Sequence, residues 1–243
     1  VDREQASRMG LPCGGRLELV IEHIDSPAPI RALLEHVDRG DLIIRRLCLD
    51  TGEASLHPAA ATDVFEYGDA NLTKVYGPAW HMLLIGAGEL ARYVAQIGRM
   101  LDYRVTVCDP RDDYALDWTA EGVERTGLMP DDAVRGLADH PRSVVLTLAH
   151  DPKLDDMALM EALDSRAFYV GALGSERTSA TRLERLADLG LGPETLARLH
   201  APVGLPIGSH TPAEIAVAIT AEITAERNRA AVAGSGNPQR SQR

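Results

Sequence analysis

Cysteine is scarce in this 243-residue sequence: Cys13, Cys48 and Cys108 lie far apart and form no CxxC pair. That spacing excludes a disulfide framework and a structural zinc site, and it suits a reducing cytosol. No metal site is expected. No apolar run reaches the ~18 residues that span a bilayer, and Val1-Asp2-Arg3-Glu4-Gln5 lacks the apolar core of a signal peptide. The expectation is a cytoplasmic, soluble protein with no membrane attachment. Basic residues are outnumbered as well, with 25 Lys plus Arg against 36 Asp plus Glu and a formal net charge of −11. A general attraction to nucleic acid or anionic lipid is thereby disfavoured, so an anionic ligand must be caught locally.

What is present is ordinary globular material, with 45% hydrophobic residues to supply a sizeable core. Between Arg16 and His23, Leu17, Leu19 and Ile21 alternate with Glu18 and Glu22, the period of a half-buried strand. Ile30, Leu33, Leu34 and Val37 then follow at helical spacing after Pro29. Leu42 to Leu49 reads as a second strand, and Asp50-Thr51-Gly52-Glu53 as a turn into a shorter one ending near His57. Pro58 to Pro78 has no long pattern and is expected to be a connector with one extended segment. Residues 1–77 thus read as a small α+β domain, with a boundary near Gly77.

From residue 78 to 232 short apolar runs alternate with amphipathic stretches. Strands are expected at His81 to Ile85, Arg104 to Cys108, Ser143 to Leu148 and Ala167 to Val170. Helices are expected at Leu90 to Met100, Asp131 to Ala138, Pro152 to Leu163, Thr178 to Leu189 and Pro212 to Asn228. Such alternation specifies an α/β fold with a doubly wound parallel sheet of Rossmann type. Residues 233–243 are small and polar without periodicity and are expected to be a disordered tail.

Met82-Leu83-Leu84-Ile85-Gly86-Ala87-Gly88-Glu89-Leu90-Ala91 is a buried strand running through GxGxxA into a helix. Gly86 permits the tight turn, Gly88 lets a phosphate approach the backbone, and Ala91 allows close packing of helix on strand. The helix start adds unpaired amides and the positive end of its dipole. Asp109, at the end of the next strand, is placed to accept from a ribose diol, which makes NAD(P) a candidate cofactor. The same residues also have a purely structural reading, in which the glycines shape a turn and Asp109 caps a loop before Pro110. Glu89 favours the latter, because its carboxylate competes with a phosphate for the positive helix end.

Two later loops occupy the same carboxyl edge, where open α/β sheets bind ligands. His150 follows the strand ending at Leu148 and is a candidate for proton exchange or hydrogen bonding to a ligand; a satisfied histidine is the alternative. Asp151 and Pro152 read as helix cap and first-turn proline, with Asp155 and Asp156 complementing the dipole. Gly171 to Thr178 forms a second glycine-bearing loop in which Gly174, Ser175 and Arg177, with Arg182 a turn further on, make a candidate anion cradle. Arginines that merely face solvent are the competing reading. Thr211, Pro212 and Glu214 form a capping box, and the apolar helix behind it is expected to bury against the sheet or a second subunit in a homodimer.

Five strings in order resemble the XdhC/CoxI family: Gly10-Leu11-Pro12-Cys13-Gly14-Gly15, Val105 to Arg111, His150 to Asp156, Tyr169 to Ser175, and Thr211 to Ala216. The resemblance covers essentially the whole chain. It implies an accessory chaperone that binds molybdenum cofactor, a pterin phosphate, as cargo and assists its sulfuration and insertion into xanthine dehydrogenase-type molybdenum hydroxylases. It further implies a molybdenum hydroxylase client, with a cysteine desulfurase as sulfur source. Binding and transfer, rather than catalytic turnover, is then the expected task. On this reading Gly86, Gly88, Asp109, Arg111, Gly174, Ser175 and Arg177 are the cofactor contacts. Cys13 becomes a candidate thiol for sulfur or metal, or else a small buried residue of a glycine turn. The chain departs from the family pattern at Glu89, Ala149, Pro206 and His210, where the pattern has His, Thr, Asp and a basic residue. Relatives carry a further N-terminal segment with a Gly-Gly-Cys motif, which leaves a truncated product, a short paralogue and an incomplete gene model as the readings of Val1. An NAD(P)-dependent oxidoreductase and a non-catalytic docking scaffold remain the rival classes; no Tyr-x-x-x-Lys pair supports the former.

Overall fold

A computed structural model describes residues 19–111 and 120–235. The amino-terminal part consists of helix α1 (Ala28–Asp38) and a four-stranded sheet of β1 (Ile43–Cys48), β2 (Ala54–Pro58), β3 (Glu66–Tyr67) and β4 (Asn71–Tyr76). Every pairing in that sheet is antiparallel, in the order β2-β1-β4-β3. Helix α1 and strands β1 and β2 fall where the sequence placed them. The connector does not: it supplies two strands, and β4 pairs along the full length of β1, from Ile43 opposite Tyr76 to Cys48 opposite Asn71.

The strand expected at Arg16 to His23 is absent over its described part. Residues 19–24 lie outside any helix or strand, with Leu19 at 75% and Ile21 at 92% exposure. Alternation is compatible with a half-buried strand but does not suffice for one, since the segment must also pair with a strand and cover an apolar surface. What tethers the segment is instead an ion pair from Glu22 to Arg45, a buried residue of β1.

The second part is a six-stranded, wholly parallel sheet. Its strands are β5 (His81–Ile85), β6 (Arg104–Cys108), β7 (Glu124–Thr126), β8 (Ser143–Thr147), β9 (Tyr169–Ala172) and β10 (Leu199–His200). The spatial order β10-β9-β8-β5-β6-β7 becomes 3-2-1-4-5-6 when read from β7 and counted from β5, the order of a Rossmann fold. Its helices are α2 (Glu89–Met100), α3 (Pro130–Leu137), α4 (Pro152–Asp164), α5 (Glu176–Asp188), the short α6 (Pro193–Leu196) and α7 (Pro212–Ser235). Strands β7 and β10 were not anticipated, being only three and two residues long. Helix α7 runs three residues into the stretch expected to be a tail.

All five residues of β5 are buried, because helices cover both faces. Met82 and Leu84 point to one face, packing with Leu90, Val94, Ile219 and Ile223 of α2 and α7. Leu83 and Ile85 point to the other, against Ala133, Val134, Leu159 and Leu163 of α3 and α4. The apolar body of α7 is therefore accounted for by packing within the chain, through Ala216, Ile219 and Ile223. Among the described residues no helix is long and apolar enough to cross a membrane.

Candidate functional site

The strand order reverses between β5 and β8, so the loops leaving their carboxyl ends part and open a crevice. Gly86 carries φ +104°, and a Cβ there would lie 2.5 Å from Ala149 Cα and 2.7 Å from Ala149 N. Glycine thus lets the β5 and β8 loops touch backbone to backbone. Gly86 N donates to Cys108 O at 2.8 Å, and Leu148 N to Ile85 O at 2.8 Å, fixing both loops to the sheet. Gly88 is the N-cap of α2 and has open space on its Cα side. Glu89 stands exposed in the first turn of that helix.

Asp109 is fully buried, and both carboxylate oxygens are engaged locally. Oδ2 accepts from Ala87 N at 2.9 Å and Arg111 Nη2 at 2.8 Å; Oδ1 accepts from Arg111 N at 3.1 Å and Arg111 Nε at 2.9 Å. Burial works to raise this carboxyl's pKa, but the hydrogen bonds from Arg111 and Ala87 outweigh it and hold the group below its ordinary range. Asp109 and Arg111 therefore brace the glycine turn from within, and this acid does not present a free face to a ribose.

The crevice holds a cleft of about 440 Å³ lined by residues of α2, the β8–α4 loop, the β9–α5 loop and the start of α7. Leu90, Leu173 and Ile215 give it apolar walls; His150, Ser175, Thr178 and Arg182 give it polar ones. Its volume falls in the roughly 300–1,000 Å³ range of small-molecule sites. His150 sits at φ +55°, a left-handed conformation that costs a non-glycine residue about 1–2 kcal/mol and collects at functional sites. Ser175 caps α5, its Oγ accepting from Thr178 N at 3.1 Å. Asp151 caps α4 in the same way, through Lys153 N at 2.9 Å. The capping box of α7 is formed too: Glu214 Oε2 accepts from His210 N and Thr211 N, while Thr211 Oγ1 accepts from Glu214 N.

Sequence reasoning placed Arg182 beside Gly174 and Ser175 in the candidate cradle but missed its partner at the centre of this cleft. Asp155, expected to complement a helix dipole, is turned inward and 2% exposed. It accepts from Ala149 N at 3.3 Å and from Arg182 Nη2 at 3.3 Å. Burial pushes its carboxyl up to about 6, against the opposing pull of the Arg182 charge and the Ala149 N–H. Arg182 is 4% exposed and also donates to Leu173 O at 3.0 Å, yet its Nε has no partner; neither has the Oγ of buried Ser179. Both lie beneath Gly174, whose missing Cβ would stand 3.4 Å from Ser179 Oγ and 3.5 Å from Arg182 Nη1. One signal was available: Ser175, Thr178, Ser179 and Arg182 recur at i, i+3, i+4 and i+7, a single polar helix face. Of the two arginines placed in the cradle, Arg182 lines the cleft, whereas Arg177 is exposed and does not. The structure thus brings His150, Gly174 and Ser175 together, with Gly86 behind Ala149. Cys13 and its glycine turn lie outside the described residues.

A Rossmann domain whose switch-point crevice carries a buried acid–arginine pair defines the class. The chain belongs to the XdhC family: residues 82–223, more than half of its length, match the XdhC Rossmann domain. It is 33% identical over 162 residues to the uncharacterized protein YqeB of Escherichia coli K12, covering 64% of this chain and 29% of that protein. It is 26% identical over 225 residues to the molybdenum cofactor insertion chaperone PaoD of the same organism, covering 89% of this chain and 61% of PaoD. In both cases the chain spans less than two thirds of the relative's length. A crystal structure of a xanthine dehydrogenase from Bacillus halodurans shares the fold, with TM-score 0.62 and 21% identity over 87% of this chain and 70% of that one.

Proposed function

We propose that the chain is a cytoplasmic accessory factor that holds molybdenum cofactor and hands it to a xanthine dehydrogenase-type molybdenum hydroxylase. The observation that carries this reading is the 225-residue match to PaoD, a molybdenum cofactor insertion chaperone, which takes in 89% of this chain. The cleft is chemically suited to such cargo. A pterin phosphate needs polar partners around a flat ring and a cation or amide cradle for its phosphate. The Gly174–Thr178 turn at the start of α5, backed by Arg182, offers the cradle; Leu90, Leu173 and Ile215 offer the apolar wall. His150 and Ser175 are the polar groups assigned to the ring and its substituents. Sulfuration of the bound cofactor by a cysteine desulfurase, with Cys13 as sulfur relay, and a homodimeric state are the finer parts of the same proposal. Dinucleotide binding draws less support, since both oxygens of Asp109 are already engaged by the turn itself.

The test is to purify the protein from a host that makes molybdenum cofactor and from one that lacks the pterin pathway, oxidise both samples and compare released pterin fluorescence per mole of protein. Fluorescence from the competent host alone is expected, and it should fall in Ser175→Ala and Arg182→Lys. Equal signals from both hosts, with a melting temperature that rises on adding NAD(H), would replace the chaperone by a dinucleotide-binding protein.

A further inference from the structure

At the opposite, amino-terminal end of the parallel sheet a second cavity of about 590 Å³ lies between the two parts of the chain. Trp80, just before β5, and Arg142, just before β8, meet there with Arg227 and Asn228 of α7 and with Phe65 and Lys74 of the antiparallel sheet region. The two guanidiniums converge on one indole: the Arg227 Cζ lies 5.0 Å and the Arg142 Cζ 6.0 Å from the Trp80 ring centroid. Tyr103 and Phe168 hold that indole edge-on, at 5.9 and 5.1 Å.

The charge here runs against the rest of the molecule. In a chain of net charge −11, two arginines and Lys74 face one cavity. Asp63 is the one carboxylate among the lining residues, and its Oδ2 accepts from Ala60 N at 2.8 Å. Burial, and then the adjacent Arg227 charge, hold the Arg142 guanidinium below the usual arginine range. Arg142 uses its N–H groups on Ala61 O and Asp63 O. Arg227 forms only its ring contacts with Trp80 and Tyr103 among the described residues, leaving its fork of donors for a ligand.

We infer that this cavity is a second ligand site, taking a small planar organic anion, a heteroaromatic ring bearing a phosphate or carboxylate. The Arg227 guanidinium and the Lys74 ammonium take the anionic group, while Phe65 and the exposed part of Trp80 receive the ring. The site is independent of the carboxyl-edge cleft and of the cargo assigned to it. Helix α7 reaches both, with Pro212 and Ile215 on the cleft and Arg227 and Asn228 on this cavity, about 18 Å from Ile215 to Arg227 along one helix.

Trp80 provides its own reporter once Trp118, the second of the two tryptophans, is replaced by Phe. In that background, Trp80 emission is titrated with AMP as the planar anion, adenosine as the uncharged ring and inorganic phosphate as the ringless anion. AMP should change the emission saturably, with adenosine and phosphate each binding at least about tenfold more weakly. Arg227→Gln should weaken AMP about tenfold while leaving the melting temperature near that of the parent. Lys74→Gln, on an exposed strand position, is the second variant and should weaken it several-fold. Absence of a saturable change with AMP, phosphate binding as tight as AMP, or AMP binding that ignores both substitutions would overturn the proposal.

Discussion

Two glycine turns at the carboxyl edge are each backed by a buried aspartate and an arginine from elsewhere in the chain, yet they are built for different ends. Behind the β5–α2 turn stand Asp109 and Arg111, which follow β6 and are neighbours in sequence, and four hydrogen bonds close the carboxylate completely. Behind the β9–α5 loop stand Asp155 of α4 and Arg182 of α5, which meet through one longer contact of 3.3 Å and leave Arg182 Nε and Ser179 Oγ unpartnered. One pair lowers its acid's pKa and the other leaves it raised to about 6. A fully satisfied pair stabilises a turn; a partly satisfied one retains capacity for a ligand.

If that contrast is sound, the first loop should tolerate nothing. Gly86→Ala must place a methyl 2.5 Å from Ala149 Cα at φ +104°, where neither backbone has room to move. A loss of about 4 kcal/mol or more, or failure to fold, is expected in urea denaturation. Asp109→Asn should cost about 3 kcal/mol at neutral pH, because it strips charge from a buried pair and leaves Arg111 undercompensated. The pH dependence fixes the sign. Asp109 titrates below its ordinary 3.8 in the folded protein, so its stabilisation is present above 3.8 and is lost as pH falls through the lower folded value. The gap between parent and variant should therefore narrow on acidification; a gap independent of pH would show that Asp109 acts by shape rather than charge.

Much of the first loop was legible because its requirements are local. A buried apolar run, a glycine where the chain must turn and a helix start coincide between Met82 and Ala91, and the capping box at Thr211–Glu214 is similarly self-contained. The second loop was legible as a cradle, with Gly174, Ser175 and Arg182 named, but not as a buried acid–arginine pair. An aspartate in the first turn of a helix looks the same in sequence whether it complements the dipole or turns inward, and for Asp155 the decision rests with Arg182, 27 residues away. Strands β7 and β10 were hidden for the same reason: with three and two residues, they exist by pairing with distant parallel neighbours rather than by any pattern of their own. In β4 the one buried residue is Thr73, a polar residue, so no apolar alternation announced the strand.

Asp155→Asn should give the opposite pH signature to Asp109→Asn. A carboxyl raised to about 6 from 3.8 contributes stability that is complete below 3.8 and is lost as pH rises through about 6. The parent therefore pays for ionising this group at neutral pH, and the asparagine variant does not. Between pH 4 and pH 8 the variant should gain on the parent by about 2 kcal/mol, read as a difference of two urea titration series. Parallel series would mean that Arg182 compensates the charge fully, which would erase the distinction between the two pairs.

The smallest expected change in stability is at the second glycine. A Cβ on Gly174 would meet Ser179 Oγ and Thr178 Cβ at 3.4 Å and Arg182 Nη1 at 3.5 Å, ordinary van der Waals contact, and the residue does not occupy the left-handed region. Gly174→Ala should thus shift stability by less than about 1 kcal/mol in either direction, since the lost freedom of the unfolded chain offsets mild crowding. Its effect should appear instead in the cleft, where a methyl group lies over the unpartnered hydroxyl of Ser179 and beside the Arg182 guanidinium. Pterin released per mole of protein should fall while the melting temperature holds. Loss of both together would show that the β9–α5 loop is as rigidly specified as the β5–α2 turn; loss of neither would place the cargo elsewhere than over Gly174.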